Sequence, residues 1–386
     1  MQPWQDPEID NLVEKYCELA KAHLDGDAAQ RDKEGDFSFE RWRKAAELGV
    51  FSLCMPKPYG DGQSLTHTLA AFEGITQGCR DGGLMFALFN QVVGVQLTLA
   101  NLASDSLKEK YLPDLISGQS LACYAFTEES CGSDSFSMET TAVEEDDGFR
   151  LNGTKSYLTN APFSNLAIVF AKTSPKRNPF GLTAFMVDLD WPGCSKGRTF
   201  EKMGLRTVHM GEFHMDNVLV PKDHIIGVKG GGLRVLTEST AYERALMTVT
   251  ALGPMRRALD ACIERCKTRK TYDKPIGAYQ QVSTRIANMM MRFKLCRQLQ
   301  YDTVSKLDAG IHTTKIADDI AINKLFITEN FTQFEMDAMQ IFGVRGYLHD
   351  HFIQQDLRDS LAGGIWAGTS ETLRNTIAKL AGLPVE

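Results

Sequence analysis

The spacing of apolar residues changes twice along the chain, and the changes divide it into three parts. From residue 7 to about 118 the period is helical. Leu12, Val13, Tyr16, Leu19 and Ala20 fall on one face of an amphipathic helix, and Phe39 and Trp42 open another. Residues 84–103 are the most apolar run, yet they include Asn90, Gln91, Gln96 and Asn101, which predicts a buried core helix rather than a membrane span. Pro56, Pro58, Gly60 and Gly62 mark a loop. From residue 120 to about 228 the period becomes two. Asn152-Gly153 predicts a two-residue hairpin turn, and residues 166–171, 182–189 and 208–220 predict strands. After Gly230-Gly231-Gly232 the helical period returns. Long helices are predicted over 233–270, 279–309, 318–342 and 371–380, the first kinked at Pro254, which lacks a backbone donor. The expected fold is α+β: an N-terminal helical domain over 1–118, a middle β-barrel-like domain over 119–228 and a C-terminal four-helix bundle over 229–386.

Composition narrows the function classes. At 386 residues the chain can hold two or three domains. A net charge of −7 gives no bulk attraction to nucleic acid or to an anionic membrane. The start, Met1-Gln2-Pro3-Trp4-Gln5-Asp6, has neither the basic nor the apolar stretch of a signal peptide, so a cytoplasmic location is expected. Nine cysteines without a repeated spacing read as thiols in a reducing compartment. Cys262 and Cys266 stand one helical turn apart, but no second pair or nearby histidine completes a metal site, and none is expected.

The chemistry starts at Glu243. Tyr242-Glu243-Arg244-Ala245 opens an uncharged run from Ala245 to Met255, with Leu246 and Met247 at i+3 and i+4. A carboxylate on that helix is partly desolvated, which raises its pKa and suits a general base acting on a weak carbon acid. The alternative is a structural Glu243-Arg244 pair at a helix start. Five further segments stand out in order: Tyr124–Asp134, Lys155–Asn160, Arg269–Ile276, Gln340–Gly346 and Ile365–Glu371. Each alone reads as a turn or a cap.

Together, in this order and spacing, these segments resemble the flavin-binding signatures of the acyl-CoA dehydrogenase family over nearly the whole chain. The resemblance implies one FAD per chain. Tyr124, Phe126, Thr127, Gly132 and Ser133 would line the flavin and its pyrophosphate, and Tyr157 and Thr159 would face the ring. Arg269, Thr271, Tyr272, Gln280, Gln340, Ile341 and Gly343 would hold the adenosine diphosphate half across a subunit boundary, implying a homotetramer, a dimer of dimers. Thr369 would donate to phosphate or ribityl oxygen. Glu371 replaces the glutamine common at its position, and Val344 and Arg345 depart from the family's Gln-x-x-Gly-Gly-x-Gly loop.

In many members the residue before Gly-Thr-Ser is the glutamate base; here it is Ala367. Isovaleryl-CoA dehydrogenase and the long-chain enzymes place the base instead in a Glu-Arg pair where Glu243 stands. The resemblance therefore implies that Glu243 removes the α-proton of an acyl thioester while the β-hydrogen leaves as hydride to flavin N5. It also places Arg244, Ser133 and Tyr242 at the substrate. Ala241 stands where CoA enzymes commonly carry an aspartate, and the wording around Glu243 and Ala367 is closest to the natural-product prolyl and acyl carrier-protein dehydrogenases. A carrier-tethered acyl or aminoacyl thioester in secondary metabolism is expected, with CoA as the alternative carrier. Arg256, Arg257, Arg265, Lys267 and Lys270 could give a basic rim for an acidic carrier. The electron acceptor is left between an electron-transfer flavoprotein and O2. A short- or branched-chain acyl-CoA dehydrogenase, an oxygenase relative and a non-catalytic flavin-binding scaffold stay open as alternatives.

Overall fold

Seven α-helices build the N-terminal part of the structure, a computed structural model that describes residues 6–174 and 178–385. They are α1 (Pro7–Ala20), α2 (Ala28–Glu34), α3 (Phe39–Glu47), α4 (Leu65–Gly78), α5 (Gly82–Phe89), α6 (Leu97–Leu102) and α7 (Asp105–Ile116). The leader reading of residues 1–5 lies outside the described residues. Asp6, Ser38, Ser64, Asp81 and Ser104 cap α1, α3, α4, α5 and α7, each accepting a backbone N–H from the first turn. A π-helical turn, Asn90–Gln96, joins α5 and α6 into one helix over Gly82–Leu102. That helix is long and apolar enough to cross a membrane, but 94% of its most apolar window is buried inside the fold, so it is a core helix.

The middle part is one sheet. Its strands are β1 (Ala122–Ala125), β2 (Thr141–Glu144), β3 (Gly148–Thr159), β4 (Leu166–Lys172), β5 (Leu182–Asp188), β6 (Cys194–Phe200), β7 (Met210–Pro221) and β8 (Ile225–Ile226). The order is β6-β7-β3-β2-β4-β5-β8, and β1 pairs in parallel with β4. Strand β4 is apolar on both faces. Ala167, Val169 and Ala171 pack into a core within the sheet, while Leu166, Ile168 and Phe170 join the helical core.

The expected hairpin at Asn152-Gly153 does not form. Both residues lie inside β3, at a register shift in its ladder with β7. Gly153 is needed for a close approach instead: a Cβ there would stand 2.5 Å from Thr140 Oγ1. Asn152 Oδ1 accepts the Asn217 N–H at 2.9 Å, so its amide ties β3 to β7 rather than closing a turn.

The C-terminal part comprises α8 (Gly232–Leu246), α9 (Val249–Thr268), the short hairpin β9 (Lys270–Thr271) and β10 (Lys274–Pro275), then α10 (Gln280–Asp308), α11 (Ala317–Phe342), α12 (Val344–Tyr347), α13 (Phe352–Ser360) and α14 (Ser370–Leu380). The predicted helix over 233–270 is two helices. The break falls at Met247–Thr248, and Pro254 stands inside α9. Pro254 offers no donor to the carbonyl one turn earlier, and the chain gives way just upstream, where Thr250 Oγ1 donates to the Met247 carbonyl at 2.8 Å. Helix α13 was not foreseen.

Candidate active site

Glu243, near the end of α8, faces the π-helical turn. Its Oε1 lies 2.9 Å from the point where a Cβ on Gly94 would stand, and Asn90 Nδ2 lies 3.4 Å from the same point. Only glycine at 94 leaves the carboxylate room. Among the described residues no hydrogen bond or ion pair reaches this carboxylate. Burial pushes its pKa up to about 7, and the neighbouring Arg244 charge pulls it only partly back. On the same face of α8, Ser239 Oγ lies 2.5 Å from the Tyr124 hydroxyl. Burial first, then the Glu243 charge, hold that phenol well above its ordinary pKa.

The Ala367 loop is held by Arg244, the residue after Glu243, and by Lys324. Arg244 Nε donates to the Ala367 carbonyl at 2.8 Å, and Lys324 Nζ to the Gly368 carbonyl at 2.8 Å. Lys324 is fully buried, with its ammonium 5.1 Å from the Trp366 ring centre, and burial pushes its pKa down to about 8. Ala367 and Gly368 both take positive φ, +50° and +97°. The Ala367 N–H makes no hydrogen bond among the described residues. Arg244 therefore faces the loop backbone. Thr369 caps α14, its Oγ1 accepting the Thr372 N–H at 3.2 Å, and Glu371 is exposed in the first turn. Tyr242 is half-buried one residue before the base.

The β-domain side is internally satisfied. The Tyr124 and Phe126 rings pack on Phe170, at 5.2 and 5.5 Å between centres. The Thr127 carbonyl accepts the Ser156 N–H at 2.9 Å. Lys155, buried in β3, donates to Glu128 Oε1 at 2.7 Å and to the Phe126 carbonyl at 3.1 Å, locking the two flavin-type segments together. Gly132 and Ser133 are exposed, and a Cβ on Gly132 would meet nothing within 4 Å. Tyr157 has φ +59°, is 44% exposed and stacks on Phe200 at 4.9 Å. Thr159, half-buried, ends β3. An open glycine loop, hydroxyls and an exposed aromatic face fit an isoalloxazine and its pyrophosphate.

The bundle side is open. Arg269, Thr271, Tyr272, Gln280, Gln340 and Gly343 are exposed, while Ile341 is buried. The β9–β10 hairpin bonds to itself and to the Tyr279 hydroxyl, not to the sheet. Burial, then the charges of Arg269 and Arg345, lower the Arg265 pKa, and among the described residues no carboxylate pairs with Arg269 or Arg345. This donor set suits a pyrophosphate. Within one chain it is not brought to the β-domain side.

Three of the five residues expected in the basic rim are engaged within the chain, while Lys267 and Lys270 are exposed. Arg257 is half-buried, 3.6 Å from Asp356, and Arg265 donates to the Ile341 and Phe342 carbonyls. Arg256 pairs with Asp260. Helix-end carbonyls and a buried carboxylate take the charges that the sequence seemed to leave for a partner. Gly94, Asn90, Lys324 and the Ala367 N–H were missed as site groups. The one signal for them was a polar residue and a glycine four apart in an apolar run.

A helical–β–helical chain with an unpaired, desolvated carboxylate beside flavin-type loops is a flavin-dependent dehydrogenase. This chain belongs to the acyl-CoA dehydrogenase family: the family's N-terminal, middle and C-terminal domain models match residues 6–119, 123–218 and 230–382. It is an oxidoreductase acting on CH–CH bonds, with FAD as its cofactor. It is 32% identical to an L-prolyl-[peptidyl-carrier protein] dehydrogenase of a Serratia species over 97% of this chain and 96% of the relative. It is equally 32% identical to the mitochondrial isovaleryl-CoA dehydrogenase of Pongo abelii, over 95% of this chain and 87% of the relative. Among solved structures, the FAD complex of PigA superposes with a TM-score of 0.94 at 31% identity, covering 98% of each chain.

Proposed function

We propose that this enzyme dehydrogenates a short acyl or aminoacyl thioester, tethered to a carrier protein through its pantetheine arm, in a biosynthetic pathway. Glu243 carries this reading: an unpaired carboxylate with a pKa of about 7, set against Gly94 and next to Arg244, which holds the Ala367 loop. Bound FAD supplies a hydride acceptor. Glu243 takes the α-proton, and its raised pKa gives it the basicity that an exposed carboxylate lacks. The free Ala367 N–H is the donor for the thioester carbonyl, which must be polarised to make the α-proton acidic. Arg244 and Lys324 hold that amide by fixing the two carbonyls that follow it. Tyr242, half-buried, and Ser133, exposed, are the side chains this reading assigns to the acyl chain and the arm.

The open bundle side supports a homotetramer, in which a second chain's Arg269, Thr271, Tyr272, Gln280, Gln340 and Gly343 complete each cofactor site. Tyr272, 90% exposed, is a side chain that such an interface would cover. The free cysteines support a reducing, cytoplasmic setting. Electrons then pass to an electron-transfer flavoprotein or to O2.

Identity does not separate carrier protein from CoA, and the loss of an aspartate at Ala241 favours the carrier. The test is anaerobic bleaching of the flavin by the same acyl groups loaded on carrier proteins and on CoA. Faster reduction by carrier-bound thioesters is expected. Efficient turnover of free acyl-CoA with no reduction by any carrier thioester would assign the protein to short- or branched-chain acyl-CoA dehydrogenation.

A further inference from the structure

We propose that the hydroxyl pair Tyr124–Ser239 is a positioning device for the reaction: it pins helix α8, which carries Glu243, to strand β1, which opens the flavin-type segment, and so sets the distance between the base and the hydride acceptor. The inference rests on the thioester dehydrogenase reading above and gives a task to two hydroxyls which that reading does not use.

The reaction breaks C–H bonds on two neighbouring carbons, one toward a carboxylate and one toward the flavin, so the relative placement of the two acceptors decides the rate. They belong to different parts of the fold. The end of α8 is held by the bundle: Gln300 Nε2 donates to the Ala245 and Leu246 carbonyls at 3.1 and 3.2 Å, and Asn323 Nδ2 to the Arg244 carbonyl at 2.9 Å. The start of α8 is held by the sheet. Thr183 Oγ1 on β5 accepts the Gly230 N–H at 2.9 Å, and a Cβ on Gly232 would stand 2.7 Å from the Leu182 carbonyl carbon. Between these anchors, one turn before Glu243, Ser239 meets Tyr124. The Tyr124 ring rests on Phe170, 5.2 Å between centres, and β1 pairs Tyr124 with Ile168 of β4. Strand β1 holds the opposite wall as well. Gln91, in the π-helical turn that contains Gly94, accepts the Ala122 N–H at 2.9 Å and donates to the Ser120 carbonyl at 2.8 Å. One strand therefore fixes both α8 and the turn that faces the carboxylate.

Ser239 settles the direction of the bond. Its hydroxyl donates to the Val235 carbonyl at 2.8 Å, one turn back along α8, so the Tyr124 hydroxyl is the donor across the 2.5 Å contact. Packing alone would be served by phenylalanine against alanine. A hydrogen bond adds a preferred distance and angle, which apolar contact does not. The Glu243 charge, after burial, raises the Tyr124 phenol, so the pair stands close enough to the base to feel it. With its proton given to Ser239, the phenol leaves the carboxylate without a donor, and the base keeps its basicity.

The test uses the parent holoenzyme, Tyr124→Phe, Ser239→Ala and the double variant, with a prolyl carrier-protein thioester and isovaleryl-CoA as substrates. Anaerobic flavin reduction is followed against thioester concentration and pH, with rates read per bound flavin, and flavin content and melting temperature are measured on the same samples. Each single variant should lower the limiting reduction rate by ~10- to 100-fold, the effect of misplacing a reacting group by up to about an ångström. The half-saturating thioester concentration and the pH inflection at about 7 should stay as in the parent. The double variant should be no slower than either single one, because the same bond is lost in all three. A limiting rate equal to the parent's, with only flavin content or melting temperature reduced, would make the pair structural and overturn the inference while the dehydrogenase reading stands. A rise in the half-saturating concentration alone would overturn it too, and single effects that multiply in the double variant would break the pairing of the two hydroxyls. If neither thioester reduces the parent, the functional reading fails and takes this one with it.

Discussion

Glu128 is buried and Glu243 half-buried, and their surroundings drive the two glutamates in opposite directions. Burial alone would raise Glu128, but the Lys155 charge, the Lys155 hydrogen bond at 2.7 Å and the backbone N–H groups of Glu139 and Thr140 outweigh it, and its pKa falls below the ordinary carboxylate value. Glu243 has burial without donors, and rises to about 7. The same side chain is a structural clamp in the β domain and, in the function proposed, a base in the bundle, and the donors around it set the direction in which its pKa moves. Missing donors do not make a base by themselves. Glu335 has both oxygens unpartnered and a pKa well above the ordinary value, but it faces Asp356 and Arg257 in the packing of the bundle.

Breaking the clamp should have the largest effect. Lys155→Met would leave Glu128 buried and unpaired, at a cost of about 3–5 kcal/mol in unfolding free energy. Denaturant melts should show this together with lost flavin, since Lys155 also holds the Phe126 carbonyl. A loss below about 1 kcal/mol would mean that the pair is not what holds the loop. Crowding the base comes next. Gly94→Ala would place a carbon 2.9 Å from Oε1 and displace the carboxylate. Flavin reduction should slow by up to about 10²-fold, the usual result of misplacing a reacting group by an ångström, with flavin content unchanged. An unaffected rate would show that Glu243 does not work from this position.

The smallest effect sharpens the contrast because its sign reverses. The Glu128 pKa is lowered on folding, so its stabilisation is present above the unfolded carboxylate pKa and is lost as pH falls through the folded one. Glu128→Gln should therefore destabilise at pH 7, by about 1–3 kcal/mol. The Glu243 pKa is raised on folding, so its neutral form is favoured at low pH, and that advantage is lost as pH rises to about 7. Glu243→Gln should melt at a higher temperature than the parent at pH 8, with the difference vanishing near pH 4. Two variants shifting in the same direction at pH 8 would remove the distinction between the two sites.

Much of this architecture was legible in the residues. The switch from helical to alternating period and back reflects which faces are buried, and that is local information. Glu243 stood out because the uncharged run after it offers no partner one turn away. The Asn152-Gly153 dipeptide misled because its turn preference is weaker than the β7 ladder on one side and Thr140 on the other, both distant in sequence. The same limit hid Asn90 and Gly94: polar and glycine positions in an apolar helix signal only that the helix is not a membrane span, and the π turn that aims Asn90 at Glu243 is set by packing. The basic rim shrank to Lys267 and Lys270 because Arg257 and Arg265 serve carbonyls on other helices, which no spacing along α9 reveals.

The central claim is that Glu243 is the base. The most direct measurement is anaerobic stopped-flow reduction of the flavin by the best thioester, in the parent and in Glu243→Gln, as a function of pH. For the parent, kcat/KM should climb as pH rises through about 7 and then level, because the ionised carboxylate is the active form. The variant should retain its flavin, reduce it ~10²–10⁴-fold more slowly and lose the inflection. A Gln variant that bleaches as fast as the parent, with the same pH profile, would contradict the assignment and make Glu243 a structural residue.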